Sequence, residues 1–247
     1  MISRLAVLLA ASVACRAEGA QNPVEMGAMD STDHAAAAAA HEAMSGPMPA
    51  DPHLRLTSLA PANAADSARG AALVVEMRRA LARYRDVDAA RADGFRMFLP
   101  GVKQPAYHFT SWKWALEAMF RFDPAKPTSL LYRPAPGGRF ELVGAMYTAP
   151  ARTSLTDLDQ RIPLSVARWH EHVNWCVPAR GAGRRWRDST DGHPVFGPKS
   201  PIATASACAA VGGRFLPRIF GWMVHVNAFA GDDARVIWGA GEHEHMH

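Results

Sequence analysis

Two six-residue stretches of the chain share a pattern of aromatic, imidazole and amide side chains. Residues 169–174 read Trp-His-Glu-His-Val-Asn, and residues 222–227 read Trp-Met-Val-His-Val-Asn, so four of the six positions coincide. A third stretch, residues 107–109, places one histidine between Tyr and Phe. Because neutral imidazole is a ligand for zinc, copper, iron and nickel, these stretches indicate transition-metal chemistry.

The spacing predicts that the imidazoles converge if the three stretches are β-strands. Alternate residues of a strand point to the same face, so His170 and His172 would share a face and Glu171 would point away from it. His108 and His225 would join them from neighbouring strands. We therefore expect His108, His170, His172 and His225 to be metal ligands.

Two amides lie close enough in sequence to orient these rings. Asn174 and Asn227 each follow a histidine by two residues, and ligating imidazoles usually hydrogen-bond to such partners. Copper is the first expectation for the metal and zinc the second.

A helical alternative for the first stretch stays open at this level. Pro163 suits the first turn of a helix running through residues 163–168. On a helix, His170 and His172 would diverge by about 200°, so only one of them would face a shared site.

Three functions are compatible with these histidines. The first is an exported metal-binding protein, and the second is a metal-dependent enzyme that keeps an open coordination position for water or oxygen. The third is a non-catalytic interaction module whose histidines are ordinary core residues and lie apart in space. The chain contains no Gly-x-Ser-x-Gly elbow, phosphate-binding glycine loop or dinucleotide fingerprint, and neither His41-Glu42 nor His170-Glu171 continues as a His-Glu-x-x-His motif.

The segment before the body also favours copper, through its composition. Thioether and imidazole ligands together suit copper, and thioether favours Cu(I). Such groups are scattered along a short stretch as Met26, Met29, His34, His41, Met44, Met48 and His53, and three further histidines end the chain at His243, His245 and His247.

The beginning of the chain predicts export. One arginine precedes an apolar run of about ten residues and then small residues, which is the layout of a bacterial signal peptide, here assigned to residues 1–17. Small residues before Cys15 resemble a lipobox, although Ser12 stands where leucine is usual. The mature protein is expected in the periplasm, either free or attached to the membrane through a lipid on Cys15.

The remaining cysteines and the charge are consistent with that compartment. Cys176 and Cys208 form an even pair once Cys15 is removed or acylated, and an oxidising compartment predicts that they form a disulfide. The net charge of +4 includes a basic cluster within residues 180–187, which we interpret as a solvated loop. No nucleic-acid partner is expected for an exported protein.

The remaining pattern predicts a single α+β domain over residues 62–240, between a flexible linker (18–61) and a His-rich tail (241–247). A helix capped by Asn63 or Asp66 is expected at the start of the body. Helical periodicity gives way at residue 95 to period-two strands, with a hairpin turn at 136–138. Helices followed by hairpin-linked strands favour a mostly antiparallel sheet. Residues 236–238 are expected to form a last short strand.

The body, from about residue 54 to 238, resembles a group of uncharacterised exported bacterial proteins. The resemblance is carried by Tyr-His-Phe at 107–109, Phe-Asp-Pro at 122–124, Leu-Val-Gly at 142–144, Trp-His-x-His-Val-Asn at 169–174 and Trp-Met-Val-His-Val at 222–226. It implies export and a single intact domain. It implies no activity, because none is established for that group.

Overall fold

A computed structural model describes residues 51–98, 100 and 105–239 of the protein. Within these residues the chain folds as an α+β domain around a mostly antiparallel sheet of eight strands, as predicted. The expected signal peptide, Cys15, most of the linker and the His-rich tail lie outside the described residues.

The described part of the chain contains six α-helices and ten strands. The helices are α1 (Ala64–Leu81), α2 (Val87–Ala92), α3 (Trp112–Ala118), α4 (Leu155–Arg161), α5 (Ala205–Ala210) and α6 (Ala234–Ile237). The strands are β1 (Leu54–Leu56), β2 (Arg96–Met97), β3 (Tyr107–Thr110), β4 (Ser129–Ala135), β5 (Arg139–Ala149), β6 (His170–Pro178), β7 (Ser189–Thr190), β8 (His193–Pro194), β9 (Gly213–Arg218) and β10 (Trp222–Val226).

The large sheet has the strand order β1-β6-β10-β5-β4-β3-β2. β10 pairs with the first residue of β6, and β9 pairs with the later part of β6, residues 173–178. Its longest pairing is the predicted hairpin of β4 and β5. Gly137 and Gly138 join these strands with positive φ angles of 74° and 72°, which glycine adopts without steric cost. β7 and β8 form a separate two-stranded hairpin.

Helix α1 supplies much of the main core against one face of the sheet. It begins where the Asn63 side chain accepts a 2.8 Å hydrogen bond from the Asp66 amide, as the sequence predicts for a capping residue. Val74, Met77 and Leu81 recur at three- and four-residue spacing and are buried. They belong to the same buried cluster as Trp169, Trp222 and Val224 of the sheet region.

Two expected boundaries differ from the structure. The folded body begins before residue 62, because Leu54–Leu56 pairs with β6 as an edge strand. Residues 236–238 are also not a strand, since Ala234–Ile237 is a helix that begins at Asp233. The Asp233 side chain accepts from the Arg235 amide at 2.8 Å, and this cap outweighs the strand preference of Val236 and Ile237.

Residues 170–174 belong to strand β6 and not to a helix. The backbone makes a single turn at Pro163, whose carbonyl accepts from Val166 and Ala167, and then extends into β6. The strand interpretation is therefore correct, and His170 and His172 share one face of the sheet.

The Cys176–Cys208 disulfide is present and joins β6 to α5. Both cysteines are buried beside Phe196. Gly213 packs so closely on the bond that a Cβ there would lie 2.5 Å from Cys176 Sγ. None of the helices in the described ranges is long and apolar enough to cross a bilayer.

Candidate functional site

His108 on β3 and His225 on β10 meet across the sheet. Their Nε2 atoms are 3.4 Å apart, although β4 and β5 lie between the two strands. Three strand spacings of about 4.8 Å would place their backbones roughly 14 Å apart in a flat sheet. The sheet therefore curves around this face, and the two imidazoles close the gap across its concave side.

The other two predicted residues extend this contact into a row of four rings. The ring centres are 5.4 Å apart for His108 and His225, 5.3 Å for His225 and His170, and 5.8 Å for His170 and His172. Residues of β6 and β10 are brought together by the pairing of His170 with Met223. We call these four residues the histidine cluster.

The histidine cluster is largely shielded from water. His108, His170 and His172 are buried, while His225 is partly exposed. The Nε2 of His170 and the Nδ1 of His172 are buried without a hydrogen-bond partner among the described residues. A buried polar nitrogen without a partner costs free energy, so both atoms are available for a ligand.

Burial also keeps three of the four rings neutral. It lowers the pKa of His172 to about 3 and that of His225 to about 4. The pKa of His170 falls well below its usual value, first because of burial and then because of the neighbouring imidazoles. At neutral pH these three rings are therefore uncharged, which is the form that binds metals.

The face of β6 opposite the histidines carries a different charge arrangement. Glu171 is fully buried and forms ion pairs with Arg55 of β1 and with Arg218 of β9. The Arg55 guanidinium also stacks over Trp222, 4.8 Å from the ring centre. Glu171 therefore points away from the histidine cluster, as expected, and fixes the strands around it.

The side chain of Asn174 has a partner other than the expected imidazole of the histidine cluster. Asn174 adopts a left-handed conformation with φ of 58°, so the alternation of β6 breaks there. Its side-chain amide donates to the Pro52 carbonyl at 3.1 Å. The amide of Asn227 donates to the Val236 carbonyl at 3.1 Å and thereby ties the end of β10 to α6.

His53 is a buried histidine that sequence reasoning assigned to the linker. Its ring nitrogens lie 3.0 Å from the Asn174 carbonyl and 2.6 Å from the Ser200 carbonyl. It therefore joins the start of the body to β6 and to the loop before α5. The alternation of Leu54, Arg55 and Leu56 directly after it is the sequence signal for a strand that could have placed His53 in the folded body.

The cluster is a row of contacts and not a finished coordination shell. Within 51–98, 100 and 105–239, no three His, Cys, Asp or Glu side chains are grouped so as to hold a metal ion as they stand. The Nε2 atoms of His108 and His225 are 3.4 Å apart, and the ring of His170 lies next to that of His225.

No protein-family model matches the chain, and searches of curated proteins and of solved structures give no match either.

Proposed function

We propose that the protein is an exported envelope protein that binds a transition metal ion, copper or zinc, through His108, His170, His172 and His225. The observation that carries the proposal is the 3.4 Å separation of the His108 and His225 Nε2 atoms.

That separation fits two ligands of one ion. Nitrogen ligands lie about 2.0–2.1 Å from zinc, and two such ligands in a tetrahedral site are about 3.3 Å from each other. The same geometry places the centres of two ligating imidazole rings about 5.2 Å apart. The ring centre of His225 lies 5.4 Å from that of His108 and 5.3 Å from that of His170.

The chemistry of the donor atoms supports the same proposal. The buried Nε2 of His170 and Nδ1 of His172 have no partner in the described part of the chain, and a metal ion would satisfy them. Because the rings are neutral, an incoming ion does not compete with protons at neutral pH.

Completing the site requires ring rotation and no change of fold. His170 must turn its Nε2 toward the His108–His225 pair, and an off-rotamer side chain costs about 0.5–1.5 kcal/mol. Structural zinc sites release roughly 10–16 kcal/mol on binding, which is far more.

Metal-dependent catalysis is a second candidate function. His225 is partly exposed whereas the other three histidines are buried, so the cluster has one side toward solvent. An ion held by three protein ligands and one water would favour catalysis, whereas an ion held by four protein ligands in a closed shell would favour a binding or structural role.

Export is the other half of the proposal. It is supported by the leader-like pattern of residues 1–17 and by the Cys176–Cys208 disulfide, a bond typical of oxidising compartments. Expression of the full gene and mass analysis of the mature N-terminus would test it. An acylated Cys15 supports anchoring, cleavage near it without acylation supports a free periplasmic form, and an uncleaved cytoplasmic chain contradicts export.

The metal proposal is tested by elemental analysis of the mature protein, purified without an affinity tag, reloaded with Cu or Zn and desalted. We expect the His108→Gln/His225→Gln double variant to hold about one ion per chain less than the wild type. His193→Gln, at an exposed histidine of β8, is the matched control and should change nothing.

A second control removes the tail histidines 243, 245 and 247, so that loosely bound ions are counted separately from the cluster. Equal metal content in the wild type and in the double variant, with both folded by circular dichroism, would overturn the proposal.

A further inference from the structure

We propose that Met146 and Met223 supply thioether ligands to the ion held by the histidine cluster, and that the site consequently selects Cu(I) over Zn(II). This inference rests on the proposed metal-binding function and names the metal and two ligands that complete its site.

The strand register places one methionine beside each of two histidines. Met146 of β5 is the direct cross-strand partner of His225, and Met223 of β10 is the direct partner of His170. Directly paired residues of an antiparallel sheet project from the same face with Cβ atoms about 4.5–5.5 Å apart. Met223 and His225 also alternate along one strand and so share that face.

The methionines lie in a small apolar cluster on the histidine face, separate from the main core. Met146 and Met223 are buried together with Leu131 and Val143, and Phe220 packs against them. Leu131 is itself the cross-strand partner of His108, so this apolar cluster borders the histidine cluster on two sides.

The available ligands distinguish between the two metals. Glu171 lies on the opposite face with two arginines, and Cys176 is held in its disulfide, so neither supplies an anionic ligand. Neutral imidazoles and thioethers remain. Thioether sulfur is a soft ligand that suits Cu(I), whereas zinc sites are built from imidazole, thiolate and carboxylate.

The charge of the ion favours the same choice. The Born cost of moving an ion from water into a low-dielectric interior grows with the square of its charge, so a monovalent ion incurs about one quarter of the cost of a divalent one. A buried site whose ligands are all neutral leaves that cost uncompensated by opposite charge. Cu(I) therefore fits this site better than Zn(II).

The test compares affinities of the full mature chain for the two metals alone. Cu(I), kept reduced by ascorbate under nitrogen, is titrated against bicinchoninate, and Zn(II) against a chromophoric zinc chelator. We expect Met146→Leu/Met223→Leu to weaken Cu(I) binding by at least about ten- to a hundredfold and to leave Zn(II) binding nearly unchanged. The Leu replacements conserve volume and keep the cluster packed.

Met77→Leu is the matched control, because Met77 is fully buried in the main core and not on the histidine face. The two single variants, Met146→Leu and Met223→Leu, give independent readings if the double variant does not fold.

Equal Cu(I) affinity in the wild type and the methionine variants, with Cu(I) still lost in His108→Gln/His225→Gln, would overturn the methionine inference and leave the histidine proposal standing. If every variant, including His108→Gln/His225→Gln, still bound both metals as the wild type does, the proposed function itself would be overturned.

Discussion

The Nε2 atoms of His108 and His225 lie 3.4 Å apart, although 117 positions separate the residues in the chain and two strands separate them in the sheet. This contact exists only because the sheet curves. The elements that hold the curve are therefore as important to the site as the imidazoles.

Gly144 is expected to be intolerant of a side chain. A Cβ at this position of β5 would lie 2.2 Å from the Val226 carbonyl at the end of β10, and the backbone would have to move. We expect Gly144→Ala to lower the free energy of unfolding by about 1–3 kcal/mol, measured by urea denaturation.

Gly70 of α1 is the control for that substitution. A Cβ there would meet Val166 at 3.4 Å, which is close to ordinary contact, and alanine is the better helix former. Gly70→Ala should be neutral or stabilising. A Gly144→Ala protein as stable as the wild type would show that β5 and β10 do not need this close approach.

Glu171 is expected to stabilise the fold through its two arginines. Its carboxylate is fully buried, and replacement by Gln removes the negative charge that pairs with Arg55 and Arg218. We expect Glu171→Gln to cost about 1–3 kcal/mol of unfolding free energy.

Asp88 provides the comparison, since its ion pair with Arg91 on α2 is exposed. Asp88→Asn should cost less than about 1 kcal/mol, as exposed pairs do. If both substitutions had the same small effect, burial of the Glu171 carboxylate would not be the source of its contribution.

The disulfide is expected to stabilise the body by restricting the unfolded chain. Cys176 and Cys208 are separated by 32 residues, and closing such a loop is worth about 3–4 kcal/mol in the chain-entropy estimate. Cys176→Ala/Cys208→Ala should lose stability of that order in urea denaturation. A reducing agent should destabilise the wild type similarly and leave the double variant unaffected; an unchanged wild type would contradict the prediction.

The metal-free protein is expected to lose stability in mild acid. Unfolded imidazoles protonate near pH 6.5, whereas burial lowers the pKa of His225 to about 4 and that of His172 to about 3. Between these values the unfolded state binds more protons, so the free energy of unfolding falls as the pH falls from 6.5 toward 4. Above pH 6.5 these rings add no pH dependence.

Urea denaturation of chelator-treated protein at pH 7.5, 6 and 5 measures this slope. His225→Gln removes one of the groups and should give a shallower slope than the wild type, whereas the exposed His193→Gln should not. Parallel slopes for the wild type and His225→Gln would contradict the lowered pKa of His225.

Local patterns predicted much of this fold. The capping residue Asn63, the glycine turn at 137–138 and the alternation of β5 are each decided by neighbours in sequence, and each is found in the structure. The Cys176–Cys208 bond followed from the cysteine count together with the expected export.

Where the sequence predictions were wrong, the actual structure depends on tertiary contacts or on elements of only a few residues. Leu54–Leu56 is too short for its alternation to stand out from a linker, and its pairing with β6 is long-range. Ala234–Ile237 follows its Asp233 cap and not the strand preference of Val236. Asn174 has φ of 58°, which period-two reasoning does not anticipate.

The four histidines were recognised from residue type and spacing, but their arrangement was not. Two sequence-distant strands, β3 and β10, approach only through the curvature and register of the strands between them. The same is true of Met146 and Met223, whose positions beside His225 and His170 follow from pairing.

Locating the metal in a crystal tests whether the histidine cluster binds it. Crystals of the mature protein loaded with copper or zinc would show the ion through its anomalous scattering at the absorption edge. We expect a peak about 2.0–2.1 Å from the Nε2 atoms of both His108 and His225, with His170 turned toward it. A fully loaded crystal whose peaks lie elsewhere, with these two nitrogens still facing each other alone, would contradict it.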